Sequence, residues 1–408
     1  MDTSHSPTKL YPVVSTACAE NHSIYQEQEQ EQEQEQEGGK RELKLINSGA
    51  FGCIFKPEYT CSGKIGSEKY ITKIQKNKRT IANELRVSEK VRKIKGYARF
   101  FAPVLKYCDV KIKKDRVKDM KKCEVFEDES DKKIENSTYI SMKMRYVGKH
   151  DLRKHIFLSV STAAFFREIL MTHKHILKAI QKLIANKIIH FDLKYNNLIF
   201  DQERKSPIII DFGQSFSPEE LVTDSQISKA FFVFDQYDYW CIDILICSYI
   251  TQIVGLSRWK TELVTDSEMK YIFDVFIYGK EPTYDANNRK NILNDAFKYN
   301  ILQNPQKIAN FETAFNEYAN RFIGTGTWWE LYSDLIMRTN TWDCYSVAVI
   351  YLNILDDVFI SNVQLYNSLL ISSGTKMKKY VEVMESIVYS SPNNRPLVDA
   401  ILNEIKSI

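Results

Sequence analysis

What this chain of 408 residues has little of already narrows its class. Its eight cysteines form no C-x-x-C pair and are too few for a disulfide scaffold, so they read as reduced thiols in an intracellular-type compartment. Fourteen glycines and ten prolines exclude a collagen, and 44% hydrophobic residues exclude a wholly disordered chain. The first 25 residues hold no basic start followed by an apolar run, so no secretory signal is expected. Asp2 argues against N-myristoylation, and the closing Lys406-Ser407-Ile408 is no lipidation box. The most apolar stretch, Trp240 to Leu256, is interrupted by Asp243 and several polar residues. It falls short of the roughly 18–20 apolar residues of a membrane span and reads as a buried helix. No internal repeat of useful length is present.

What remains is enough apolar material for a large core, and a length that suggests about two to three domain-sized units. The formal charge of +4 averages unlike parts. Residues 1–40 carry two basic residues, Lys9 and Lys40, against eight acidic ones, which makes −6 and leaves +10 for the rest. Gln26 to Glu37 is a strict Gln-Glu alternation without an apolar residue. It can bury nothing, so residues 1–40 are expected to form a disordered low-complexity tail, an inert spacer or a docking arm for a basic partner. The basic body is expected to be a solvated surface, with no specific nucleic-acid binding. Leu43 to Leu45, Cys53 to Phe55 and Tyr70 to Ile74 are strand-like runs separated by glycine-bearing turns. Lys111 to Lys133, with charges of both signs, is expected to be a long strand-connecting loop. Ile81 to Ile94 has helical spacing, and Ala163 to Ile188 has the apolar period of a helix with one buried face.

After that helix stands Ile189-His190-Phe191-Asp192-Leu193-Lys194-Tyr195-Asn196-Asn197, and fourteen residues past Asn197 comes Asp211-Phe212-Gly213. H-x-D-L-K-x-x-N followed by D-F-G resembles the catalytic and metal-binding loops of eukaryotic-type protein kinases. The resemblance implies that Asp192 orients the acceptor hydroxyl and takes its proton, and that Lys194 sits beside the transferring phosphate. It implies that Asn197 and Asp211 are oxygen ligands for Mg²⁺, with His190, Phe212 and Gly213 in structural roles. This agrees with the needs of phosphoryl transfer, in which the protein supplies positioning and charge neutralisation rather than covalent chemistry.

Upstream, Ile46-Asn47-Ser48-Gly49-Ala50-Phe51-Gly52-Cys53-Ile54 fits the kinase glycine loop with Asn47 in place of the first glycine. Glycines there let backbone N–H groups approach phosphates. Lys73 takes the position of the strand lysine that binds the α- and β-phosphates, with Ile71 where the family carries alanine. Glu84 is the expected partner of Lys73, and Glu89 the alternative. By alignment Met144 is the gatekeeper, Arg145 to Val147, including Tyr146, form the hinge that meets adenine, and Asp151 contacts the ribose. Downstream, Ser217-Pro218-Glu219 follows Gly213 too closely to serve as the family's A-P-E motif, so Glu330, in Gly324 to Glu330, is taken as its acid. Thr341-Trp342-Asp343-Cys344-Tyr345-Ser346 resembles the D-x-W-S helix, with Asp238-Tyr239-Trp240-Cys241 a poorer match. Arg395 resembles the arginine that pairs with the A-P-E acid, so a buried Glu330–Arg395 ion pair is expected. Phe191 replaces the arginine that normally receives an activation-loop phosphate.

The resemblance covers residues 41–408 and implies an α+β, two-lobed protein-kinase-like fold. A small antiparallel-sheet N-lobe with one helix is expected over 41–147. A large, mainly helical C-lobe is expected over 148–408, with a big insertion at about 214–323 in the activation-segment region. The implied activity is transfer of the γ-phosphate of ATP, with Mg²⁺, to serine or threonine hydroxyls of protein substrates. Lys194 favours that over tyrosine-directed or small-molecule kinases. The competing reading is a catalytically weak pseudokinase acting as a scaffold through its tail and insertion. The divergent motifs resemble the serine/threonine kinases of large nucleocytoplasmic DNA viruses, which implies an intracellular, soluble protein of host cytoplasm or virion. No oligomeric state follows from these residues.

Overall fold

The computed structural model describes residues 43–49, 52–76, 78–159, 164–235, 237–279, 305–361 and 363–408. The expectation for the Gln-Glu tail lies outside these residues, as do Ala50 and Phe51 of the glycine loop. The fold is α+β, and contacts divide the chain into two compact units. One comprises the chain up to Lys76 and Lys106–Lys143; the other comprises Asn77–Leu105 and Met144–Ile408.

The first unit is built on a five-stranded sheet of order β1-β2-β3-β5-β4, formed by β1 (Lys44–Gly49), β2 (Gly52–Lys56), β3 (Tyr70–Gln75), β4 (Val104–Lys111) and β5 (Thr138–Arg145). β1 and β2 pair antiparallel, as do β2 and β3. In β3 the alternation works as expected of a pleated strand: Thr72 and Ile74 are buried while Lys73 between them is half-exposed. Between Leu45 and Asn47 the β1 register slips by one residue against β2, and Ile46 bulges outward. Gly52 admits no other residue, because a Cβ there would meet the Ile74 carbonyl oxygen at 2.5 Å.

Lys111 to Lys133 is not the open loop its charges suggest. It folds into the short helices α2 (Val117–Met120), α3 (Glu124–Glu127) and the start of α4 (Asp131–Asn136). Sparse apolar residues decide this: Val117, Met120, Phe126 and Ile134 are buried with Phe55, Ile74 and Tyr139 in one core. The expectation of reduced thiols is also corrected within this unit. Cys53 pairs with Cys123 and Cys61 with Cys108 as disulfides, with Cα separations of 6.1 and 5.9 Å. Cys241, Cys247 and Cys344 are free and buried.

The second unit is mainly helical. α1 (Lys78–Arg92) belongs to it rather than to the sheet, because Val87 and Val91 join its core. After α5 (Leu152–Ser159) comes α6 (Phe165–Ala185), which buries one face through Phe165, Ile169, Ile176, Ile180 and Leu183. A short antiparallel hairpin, β6 (Leu198–Asp201) and β7 (Ser206–Ile209), follows. α7 (Asp224–Ala230) leads to α8 (Ile242–Tyr249), in which all eight residues are buried, as its apolar sequence requires. Next come α9 (Asp266–Tyr278), α10 (Pro305–Ala319) and α11 (Trp328–Ile336). α12 (Trp342–Ser361) is buried on every face from Trp342 to Leu355 and is therefore a central helix. α13 (Val363–Val388) packs on α12, and α14 (Val398–Ser407) packs on α6. No helix among the described residues is long and apolar enough to cross a membrane.

The expected Glu330–Arg395 ion pair does not form. Glu330 closes the first turn of its own helix: its carboxylate accepts from the Thr327 amide at 2.7 Å, and Thr327 caps its amide in return. Arg395 instead holds Asp243 with two parallel hydrogen bonds, of 2.7 and 3.0 Å, and both side chains are almost fully buried. Trp342 Nε1 donates to the same carboxylate at 3.0 Å, and Arg395 also donates to Thr341 Oγ1 at 3.1 Å. Arg395 is therefore taken up by Asp243, not by Glu330.

Replacing Asp243 with Asn leaves the buried Arg395 guanidinium without its counter-charge and is expected to cost about 3–5 kcal/mol in urea unfolding. Glu330→Gln is expected to leave the urea midpoint nearly unchanged, and equal losses from both variants would refute this assignment. Non-reducing peptide mapping should recover the Cys53–Cys123 and Cys61–Cys108 pairs, and reduction should lower stability by about 2–4 kcal/mol per bridge. Four alkylatable thiols at these positions in the native protein would overturn the pairing.

Candidate active site

The chemistry-bearing loop begins where the chain leaves the turn after α6. Ile189 exchanges both backbone hydrogen bonds with Phe216, at 2.9 and 3.1 Å, and Ser215 Oγ donates to the His190 carbonyl at 3.0 Å. The His190 ring donates from Nε2 to the Ile210 carbonyl at 3.0 Å, which places its proton on Nε2. It also lies edge-on to Phe212, with ring centroids 5.1 Å apart. From the first turn of α12, the buried Asp343 carboxylate takes the amide hydrogens of His190 and Phe191 at 2.8 and 3.0 Å. Burial pushes the Asp343 carboxyl up, while His190 and the two amides oppose that shift.

These bonds hold strained backbone. Phe191 has φ 69° and Asp211 has φ 60°, in the left-handed region that non-glycine residues seldom adopt. Such geometry persists only where surrounding contacts over-determine it. Phe191 is over-determined by rings: Phe216 and Trp240 each lie with centroids 5.1 Å away, and Phe231 and Trp342 lie just beyond. An apolar cluster thus fills the place of the arginine that the kinase pattern carries.

On this loop three side chains converge. Lys194 Nζ lies 3.1 and 2.9 Å from the two carboxylate oxygens of Asp192. Asn197 Nδ2 donates to the Asp192 Oδ2 at 3.0 Å and to its carbonyl at 2.8 Å. Both amide hydrogens of Asn197 are thereby engaged, which leaves its carboxamide oxygen as the atom suited to a hard cation. The Asp211 Oδ1 accepts from the Gly213 amide at 3.2 Å. Asn197 and Asp211 offer the neutral and anionic oxygen donors that suit Mg²⁺, a cation bound through one or two protein ligands with substrate phosphates. Among the described residues no three His, Cys, Asp or Glu side chains converge into a closed metal cage.

Helix α1 is tied to the segment after Asp211. Asn83 Nδ2 donates to the carbonyls of Gly213 and Ser215 at 2.9 and 2.7 Å, and Glu220 forms ion pairs with Arg86 and Lys90. Glu84 is buried at 3% exposure and Glu89 is exposed, so Glu84 is the one of the two that faces inward. Met144 is buried, Tyr146 is half-buried, and Asp151 caps α5 by accepting from the Lys154 amide at 2.7 Å. Within the first unit, Ile46 and Asn47 are exposed. Ser48 Oγ accepts from the Glu124 amide at 3.3 Å, Gly49 pairs with Gly52, and Ile54 lies opposite Lys73.

Three participants were not anticipated from the sequence. Asp243 is the partner of Arg395. Tyr237 donates its hydroxyl to Asp192 Oδ1 at 3.2 Å, and Trp240 donates from its indole to the Phe191 carbonyl at 3.0 Å.

Replacing Asp343 with Ala strips two buried amides of their acceptor, at a cost of about 1–3 kcal/mol for each. Hydrogen exchange should then show the His190 and Phe191 amides deprotected ahead of global unfolding, and unchanged protection would sink the assignment. The chain matches no protein-family model and no curated protein sequence.

Proposed function

We propose that this protein is an ATP- and Mg²⁺-dependent protein kinase that phosphorylates serine or threonine hydroxyls. One observation carries the reading: Asp192, Lys194 and Asn197 converge on one loop whose backbone is fastened to a central helix by Asp343. A carboxylate beside a lysine and an amide suits in-line transfer of a phosphoryl group, where orientation and charge neutralisation do most of the catalytic work. In this proposal Asp192 orients the acceptor hydroxyl and takes its proton as the oxygen bonds to the γ-phosphorus. The bond between that phosphorus and the β,γ-bridging oxygen breaks, and ADP carries the bridging oxygen away. Lys194 offsets negative charge on the transferring group. The oxygens of Asn197 and Asp211 would hold Mg²⁺, which supplies further charge neutralisation on the phosphates. Lys73 and the glycine loop are proposed to hold the remaining phosphates, and Glu84 to orient Lys73. The Asp243–Arg395 pair supports the same reading, because it supplies a buried acid–arginine contact at kinase-like spacing from Asp211.

Asp192→Asn should lower phosphate incorporation into casein or histone by about 10²–10⁴-fold, the contribution of a general base. The thermal midpoint of the wild type should rise with millimolar Mg-ATP. Equal labelling by wild type and variant would sink the proposal.

A further inference from the structure

Three donors from Lys194, Asn197 and Tyr237 already sit on the carboxylate of Asp192. An ionised carboxylate has about four lone-pair sites, two on each oxygen. Here Lys194 and Asn197 sit on Oδ2, at 2.9 and 3.0 Å, while Lys194 and Tyr237 sit on Oδ1, at 3.1 and 3.2 Å. An incoming hydroxyl that is to give its proton to Asp192 needs one of these sites. Lys194 and Asn197 belong to the same short loop as Asp192 and travel with it. Tyr237 alone arrives from a separate segment, 45 residues along the chain. Its donor is moreover an O–H, the same group that a protein acceptor would present.

The surrounding contacts make this a seated arrangement rather than a passing one. The Tyr237 ring packs edge-on to Tyr239 and Trp240, with centroids 5.4 and 5.2 Å apart. Trp240 is fixed to the Phe191 carbonyl, and the Tyr239 carbonyl accepts from Ser346 Oγ at 2.6 Å. The Asp243–Arg395 pair anchors the far end of the segment. Burial and the Asp192 charge both raise the Tyr237 phenol well above its ordinary value, so it stays protonated and remains a donor.

Resting on the kinase reading, we propose that Tyr237 is a built-in surrogate of the acceptor hydroxyl. Its hydroxyl occupies a hydrogen-bonding place on Asp192 Oδ1 that a protein substrate would take, so the two compete for it. Opening requires only that the phenol leave Oδ1, with no change at Lys194, Asn197 or Asp343. The contact competes with the acceptor and not with the nucleotide.

The test compares wild type, Tyr237→Phe and Asp192→Asn, using casein, histone and water as acceptors. Phenylalanine keeps the ring packing and removes only the donor; matching thermal unfolding curves verify that the fold is retained. Tyr237→Phe is expected to raise kcat/KM for the protein acceptor several-fold, mainly through KM, with KM for ATP unchanged. A residue that merely shapes the loop would not separate acceptor from ATP in this way. Wild-type transfer above the Asp192→Asn background, with Tyr237→Phe equal or lower, overturns the surrogate role and leaves the kinase reading intact. All three proteins at one background with every acceptor overturns both.

Discussion

The Asp343 carboxylate, buried at the start of the central helix α12, takes two adjacent backbone amides and so fixes the loop that carries Asp192, Lys194 and Asn197. The constraint is electrostatic and geometric together. Amide hydrogens buried without an acceptor are costly, and a carboxylate buried without donors is costlier still. Each therefore holds the other in place, and the left-handed Phe191 between His190 and Asp192 becomes sustainable. The side chains beyond Phe191 converge because their backbone has little freedom. Positioning of this kind is what phosphoryl transfer asks of a protein.

A second buried anchor stands behind the first. Asp243 and Arg395 form a bidentate pair that also engages Trp342 and Thr341, beside the start of α12. The loop carrying Asp192 and the segment ending at Asp243 are thus referred to the same helix. This lets the chain between α8 and α12 be long without disturbing the loop, since both of its ends are fixed. Its rings supply the remaining order: Trp259 meets Trp329 and Tyr332, and Phe273 meets Phe311 and Phe315. Aromatic packing also takes over at Phe191, where an apolar cluster stands in place of a charged residue that could read a phosphate. Control through that route is replaced in the proposal by Tyr237, a neutral donor seated on Asp192 itself.

The first unit relies on different means. Its core is small, and two disulfides tie β2 and β4 to neighbouring segments. The charged stretch after β4 contributes short helices that place Phe126 against Tyr139, with ring centroids 5.1 Å apart. Gly52 lets β2 run within contact of the Ile74 carbonyl, which sets the close strand spacing beneath the glycine hairpin.

The local determinants were legible in the amino-acid sequence. Strand alternation in Tyr70 to Gln75, the single buried face of α6, the largely apolar stretch that became α8, and the loop residues from His190 to Asn197 all follow from neighbours within a few positions. Asp343 was legible too, because its surrounding tryptophan and serine keep a recognisable order. Long-range pairing was not. Glu330 and Asp243 are both acids near aromatic residues, and only the burial of one beside Arg395 separates a structural ion pair from an exposed helix cap. The cysteine bridges and the Tyr237 contact belong to the same category. They join residues 45 to 70 positions apart, and no periodicity or spacing encodes which side chains meet. Local sequence sets the conformations available to each segment, whereas partner choice is decided when burial removes water and leaves each charge or donor only the neighbours the fold supplies.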